Sequence, residues 1–584
     1  MKRKIYIAIL SLAVIGMIGS CKSNYLDVKP AGGLDASLLA NQKGLDALLV
    51  GTYSFVMGDK NGVGIGATSS NWIWGSIRGM EANKGSDAGD ITDIAQVEQY
   101  SETPTDGYVN DAWRGAYEGI SRANNLIVVA NNAIKAGTIT QDQFDLYVAQ
   151  AKVLRGWFHF GAWQKWNKIP YLDETTDPTT VKNDVDVTDK IINDLKEGLK
   201  LPLNMGQIGK WNKTVSEMAL AEGLMAMKHD YAGALTQLAD VKATGVKPNG
   251  ASIGLATTFG EIWDIANRNG IEAIYTVQTS VNDGSGGNNT AGDFLNFPYK
   301  SGASPAGCCG FFQPTQDLVN SFRTVNGLPL LEVTNDVHDY DLEANVVKSD
   351  IGLSAAAPFT PDAGPLDPRL DWTVGRRGIP YWDWGLMTGA DWIRDPTYAG
   401  PYSPKKAVYK KSQQDQYTEV GSWFSGFTAN SHRLFRYSDL LLLLAECQIQ
   451  TGDLASAFTN INAVRNRASN AAGFVKMPDG TNAANYQIAL YPAAAAYPFD
   501  SKDNAMKALM MERKLELGME GLRLFDFNRW GNTVTEVNRA LKYEETMPWG
   551  TSAYAGKTFA AAYLYLQIPQ QQIDLSNGNL VQNR

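Results

Sequence analysis

Ala221 to Leu235 and Ala445 to Phe458, far apart in the chain, carry one pattern: a helix, a short polar turn, and a small residue early in the next helix. Ala234 and Ala457 occupy the small positions. Small side chains let paired helices approach closely, which such pairs need in order to stack on a shared core. Longer periodic runs flank them. Phe144, Tyr147, Val148, Ala151, Leu154 and Phe158 recur at the three- and four-residue spacing of one helix face, as do Leu440, Leu443, Leu444 and Cys447. Both runs are expected to be core-facing helices.

The repeated turn looks like the tetratricopeptide turn, so the expected fold is mainly α: a tetratricopeptide-like helix-pair scaffold with long irregular loops and a few short strands. The texture changes between residues 282 and 426. Gly, Pro, Asn and aromatic residues crowd into Asn282-Asp283-Gly284-Ser285-Gly286-Gly287 and Gly364-Pro365-Leu366-Asp367-Pro368-Arg369, with a strand-like run nearby at Ala273 to Thr279. Irregular insertions on a rigid scaffold are where binding surfaces usually sit. We expect one domain over 21–584, with an N-terminal helical half at 22–240 and a C-terminal half at 270–584 that carries the insertions.

The N-terminus reads as a leader over residues 1–20. Lys2, Arg3 and Lys4 precede the apolar run Ile5 to Met17, and Ile18-Gly19-Ser20-Cys21 places small residues before a thiol, which resembles a bacterial lipobox. At about 1.5 Å per residue, Ile5 to Ser20 reaches roughly 24 Å, short of the ~20 apolar residues that span a bilayer. In this reading Cys21 becomes the first residue and carries the lipid chains, two or more of which give stable anchoring. The competing reading is an ordinary secretory signal whose Cys21 later forms a disulfide.

The formal charge is −9, and removing the leader takes three positive charges away, so nucleic acid is excluded as a partner. Four cysteines are too few for a disulfide scaffold in 584 residues. Cys447 reads as a small core residue, and the adjacent Cys308 and Cys309 as two free thiols in a Gly-rich loop, with a vicinal disulfide as the alternative. His159, His229, His338 and His432 are scattered without HExxH or paired CxxC spacing, and Asp336, Asp339, Asp341 and Glu343 lack the calcium-loop spacing. No metal and no cofactor are expected.

Two constellations suggest chemistry. The first is aromatic: Trp72 and Trp74 alternate, Trp382 and Trp384 alternate, and Trp392, Trp423, Phe311, Phe312 and Tyr299 lie in Gly-rich stretches. A flat indole stacks on the C–H face of a sugar ring while nearby amides and carboxylates bond its hydroxyls. The second is Glu512, Glu516 and Glu520, aligned on one helix face. Aligned carboxylates suit a glycoside hydrolase. With Arg513, Arg523, Arg529 and Asp526 in helical reach, a structural ion-pair network accounts for them better.

Ordered motifs over nearly the whole chain resemble the SusD/RagB family of outer-membrane nutrient-binding lipoproteins. They run from the lipobox and Asn24-Tyr25-Leu26-Asp27 through Trp113-Arg114-Gly115-Ala116-Tyr117 and Leu154-Arg155-Gly156-Trp157-Phe158 to Ile169-Pro170-Tyr171. They continue with Asp367-Pro368-Arg369, Arg436-Tyr437-Ser438-Asp439-Leu440, Asn462-Ala463-Val464-Arg465, and Glu520-Gly521-Leu522-Arg523-Leu524-Phe525-Asp526. The resemblance implies a non-enzymatic protein of the outer membrane, facing the exterior and anchored through Cys21. It implies an oligosaccharide ligand and a SusC-like TonB-dependent transporter on which the protein sits as a lid. By position in the family, the expected ligand-binding residues are Trp72, Trp74, Asp87, Tyr299, Phe311 and Trp382. The alternatives are a lid for peptide or other non-sugar cargo and a surface glycoside hydrolase using Glu512, Glu516 or Glu520.

Overall fold

A computed structural model describes residues 36–60, 62–300, 304–420 and 426–584. The leader, Cys21, the Asn24 to Asp27 motif and Trp423 lie outside the described residues. The principal helices are α1 (Gln42–Tyr53), α2 (Gly107–Lys135), α3 (Gln141–Trp166), α4 (Thr188–Glu197), α5 (Lys213–Gly223), α6 (Tyr231–Thr244), α7 (Tyr437–Thr451), α8 (Leu454–Ala468), α9 (Lys502–Leu517), α10 (Arg523–Trp530) and α11 (Thr533–Glu544). The chain is mainly α, as expected.

Each long helix starts where the sequence supplies an acceptor for its free N–H groups. Asp106 accepts from the Tyr108 and Val109 amides at the head of α2, and Thr140 with Gln143 forms a reciprocal capping box at the head of α3. These two helices pack along each other. Gly119 makes the approach possible, because a Cβ there would lie 2.7 Å from the Phe158 ring.

The two repeated turns adopt the same solution. After α5 and one π-helical turn, His229 takes a left-handed conformation and Asp230 caps α6 by accepting from the Gly233 amide at 2.8 Å. After α7, Gly452 is left-handed and Asp453 caps α8 from the Ser456 amide at 3.1 Å. Ala234 and Ala457 are fully buried. The two pairs are also neighbours: α6 packs on α7, and the Cys447 and Met225 sulfurs sit 3.6 Å apart. One apolar core continues from Phe55 to Leu580.

Strands are short and form two-stranded ribbons. β1 (Ala82–Gly85) pairs antiparallel with β3 (Phe311–Pro314), and β2 (Ala273–Thr276) with β4 (Arg433–Arg436), which leads directly into α7. Cys308 and Cys309, just before β3, are joined as a vicinal disulfide rather than left as two free thiols.

The carboxylates of α9 and the turn after it are buried in ion pairs. Glu512 accepts from Arg369 at 2.6 Å and from Arg465 at 2.9 Å; Glu516 pairs with Arg369 at 3.1 Å, with Arg436 at 2.6 Å and with Arg467. Glu520 meets Arg436 at 2.9 Å and Lys406 at 2.7 Å. Burial pushes the Glu516 carboxyl up, but the charges of Arg467, Arg436 and Arg369 outweigh it and hold the group well below the usual carboxylate range. The partners differ from those the helix suggested. Arg513 pairs instead with Asp439 and Asp526, and Arg529 with Glu446 and Asp526.

Candidate ligand-binding site

The β1–β3 ribbon sets Gly85 opposite Phe311 and brings the segment after β1 against the segment before β3. The Ser86 amide donates to the Gly310 carbonyl at 2.6 Å. The chain then turns through Asp87, whose Oδ1 accepts from the Gly89 and Asp90 amides, both at 3.0 Å. An Asp closing its own turn in this way is a local, sequence-encoded device.

Lys84 pins that turn from below. Its fully buried Nζ donates to the Asp87 and Asp90 carbonyls, both at 2.6 Å, and lies 5.4 Å from the Phe311 ring centre and 5.0 Å from that of Tyr398. Burial lowers the Lys84 pKa, against the opposing charges of Glu98, Asp90 and Asp87. With the carbonyls held inward, the carboxylates of Asp87 and Asp90 stay at the surface.

Arg394 closes the site. Its Nη2 meets Asp87 at 2.8 Å, its Nη1 meets Asp90 at 2.5 Å and donates to Ser86 Oγ at 3.0 Å. The guanidinium carbon stands 5.4 Å from the centre of the Tyr299 ring, and the Tyr299 amide donates to the Trp392 carbonyl at 2.9 Å. About a third of each charged side chain stays open: 32% for Arg394, 34% for Asp87 and 28% for Asp90. Lys300 and Asp391, both half exposed, pair at 3.0 Å. Carboxylates accept from hydroxyls, a guanidinium donates to them, and a ring offers an apolar platform. This combination is chemically able to bond a polyhydroxylated ligand.

Of the six residues expected to bind ligand, Asp87 and Tyr299 come together on this face. Phe311 supports it from inside β3, fully buried. Trp72 and Trp74 are corrected: each is 1% exposed in the six-residue π-helical turn Trp72–Ile77, and their indole N–H groups donate to the carbonyls of Gly292 and Gly66. The cause is the tight seat of this turn. A Cβ on Gly75 would lie 1.7 Å from the Gly521 carbonyl oxygen, and the flanking indoles pack inward. Trp382 is partly buried against Trp372, ring centres 5.0 Å apart, and belongs to no part of the Arg394 cluster.

The sequence reading missed Lys84, Asp90 and Arg394. Asp90 had a signal, since Ser86-Asp87-Ala88-Gly89-Asp90 is a turn with two acids. Arg394 had none, because it meets its partners only through the fold. Among the described residues no group of three or more His, Cys, Asp or Glu is placed to hold a metal, and no helix is long and apolar enough to cross a membrane.

The chain matches the SusD family model over residues 271–584, and a second model described as starch-binding associating with outer membrane over residues 24–212. No curated protein is similar enough in sequence to count as a relative. Solved structures share the fold. A SusD superfamily protein from Bacteroides vulgatus is 18% identical, with a TM-score of 0.65 over 94% of this chain and 99% of that one. Surface glycan-binding protein A from Bacteroides uniformis is 19% identical, with a TM-score of 0.64 over 93% and 99%. Surface glycan-binding protein A from Bacteroides thetaiotaomicron, solved in complex with laminarihexaose, is 19% identical, with a TM-score of 0.62 over 93% and 99%. With a matched C-terminal segment longer than half the chain, and a fold shared along nearly all of it, this protein belongs to the SusD family.

Proposed function

We propose that this protein is a cell-surface, non-enzymatic receptor that captures an oligosaccharide on the Asp87–Asp90–Arg394–Tyr299 face. It then delivers the sugar, as a lid, to a TonB-dependent transporter of the outer membrane. The observation that carries the reading is the meeting of two acids, a guanidinium and an aromatic ring on one exposed face, from three separate stretches of chain. Such an arrangement bonds neighbouring hydroxyls while stacking on a ring face. The site is open, as reversible capture of a chain end or middle requires. The Glu512, Glu516 and Glu520 carboxylates lie under arginines and lysine, which supports binding over hydrolysis. Lipid chains on Cys21 are the anchor in this reading.

Calorimetric titration of the mature chain against a panel of neutral oligosaccharides tests the site. At least one glycan should bind, and Tyr299→Ala and Arg394→Ala should each weaken it about tenfold or more. Unchanged affinity in both variants rejects the placement.

A further inference from the structure

Where the end of α1 meets the segment that follows β2, a cavity of about 430 Å³ opens at the surface, and it shares no residue with the Arg394 face. Its floor is apolar. Leu49, Met57 and Val277 are buried there beside the rings of Tyr53 and Tyr275, and Val50, 66% exposed, stands at its edge. The polar groups of the wall are engaged within the protein. Tyr53 Oη donates to Gln150 Oε1 at 3.0 Å and accepts from the Trp211 amide at 2.9 Å, and Tyr275 Oη donates to the Gly209 carbonyl at 3.0 Å. Ser54 donates to the Gly51 carbonyl at 2.8 Å, Thr279 Oγ1 lies 3.1 Å from Ser431 Oγ, and the Gln278 and Asn288 side-chain amides donate to Asn269 and Asp283.

Positive charge is what remains. Lys60 and Lys210 are the charged side chains of the wall and no carboxylate joins them, in a chain whose formal charge is −9. Lys60 Nζ is seated on two neutral acceptors, the Gly287 and Asn289 carbonyls, at 2.8 and 3.1 Å, and the Asp59 carboxyl next to it is buried and does not reach the wall. Lys210 Nζ has neither a hydrogen-bond nor an ion-pair partner among the described residues. We infer that this cavity is a binding site for an amphiphilic carboxylate, its hydrocarbon body on Leu49, Met57, Tyr275 and Val277 and its head on Lys210, with Lys60 adding to the positive field. An apolar floor with few free hydrogen-bonding groups and an open ammonium is complementary to a molecule that is apolar along its body and anionic at one end. A sugar fits poorly, because its hydroxyls lose water against walls whose own donors and acceptors are taken. A cation meets two like charges. A neutral hydrocarbon gains from the floor alone and leaves Lys210 without a partner, so the carboxylate binds more tightly.

Calorimetric titration of the mature chain with decanoate, and with decanol as the uncharged molecule of equal chain length, tests the site. In the wild type decanoate should bind, about tenfold or more tighter than decanol. Lys210→Glu, which sets a like charge where the head sits, and Val50→Glu, which sets one at the edge of the floor, should each weaken decanoate about tenfold or more. Absence of decanoate binding, decanol binding as tightly as decanoate, or wild-type affinity in either variant overturns the inference. Should Lys210→Glu fail to fold, Val50→Glu decides alone, since Val50 is exposed and lies outside the packed core.

Discussion

Arg436 and Arg394 use the same chemistry in two regions and do different work. Arg436, 2% exposed, is enclosed by Glu272, Glu516 and Glu520, and every charge in its neighbourhood is answered by another. Arg394 also holds two acids, yet it keeps a third of its surface open and sits on a ring at the rim. In the core the pairing leaves nothing to offer a ligand. At the surface, water already competes for the same groups, so a sugar's hydroxyls can replace it at small cost. Burial, not residue type, separates the closed cluster from the open one.

Breaking the core side of this contrast should have the largest effect. Glu516→Ala leaves three arginines facing an emptied buried site and should lower stability by about 3–5 kcal/mol, read as a fall in the thermal or urea midpoint. A wild-type midpoint in this variant contradicts the scaffold role.

Asp59 sharpens the contrast, being a buried carboxylate with no arginine. It is 8% exposed, neither oxygen has a partner among the described residues, and burial, against Lys60 and with Asp293, raises its pKa from 3.8 to about 7. The folded state therefore keeps a proton that the unfolded chain releases. Its contribution is full below pH 3.8 and is lost as pH rises through about 7. Asp59→Asn should raise stability at pH 8 by up to roughly 4 kcal/mol and by almost nothing at pH 4. Equal melting shifts at both pH values refute this account.

The surface side should give the smallest change in stability. Arg394→Ala should move the unfolding midpoint by less than about 1 kcal/mol equivalent. A large destabilisation makes Arg394 a structural residue like Arg436 and removes the contrast.

Legibility in the sequence followed the range of the interaction. The helix pairs were readable because their determinants are local: apolar spacing in α3 and α7, small residues at Ala234 and Ala457, and a polar turn that proves to be capped by Asp230 and Asp453. Asp87 and Tyr299, named by position, fall together beside Arg394. Trp72 and Trp74 misled, because an alternating indole pair reads alike whether it faces solvent or core, and only the contact of Gly75 with Gly521 decides it. The partners of Glu512 and Glu516 were invisible for the same reason. Arg369, Arg436, Arg465 and Arg467 reach α9 from other elements, not from its own helix.

The ribbon that joins Ser86 to the strand at Phe311 has a temporal meaning. Asp87 leaves the ribosome long before Arg394, some three hundred positions later, can reach it. A half-made chain therefore lacks the Arg394 cluster, which forms only when the last third has docked on the first.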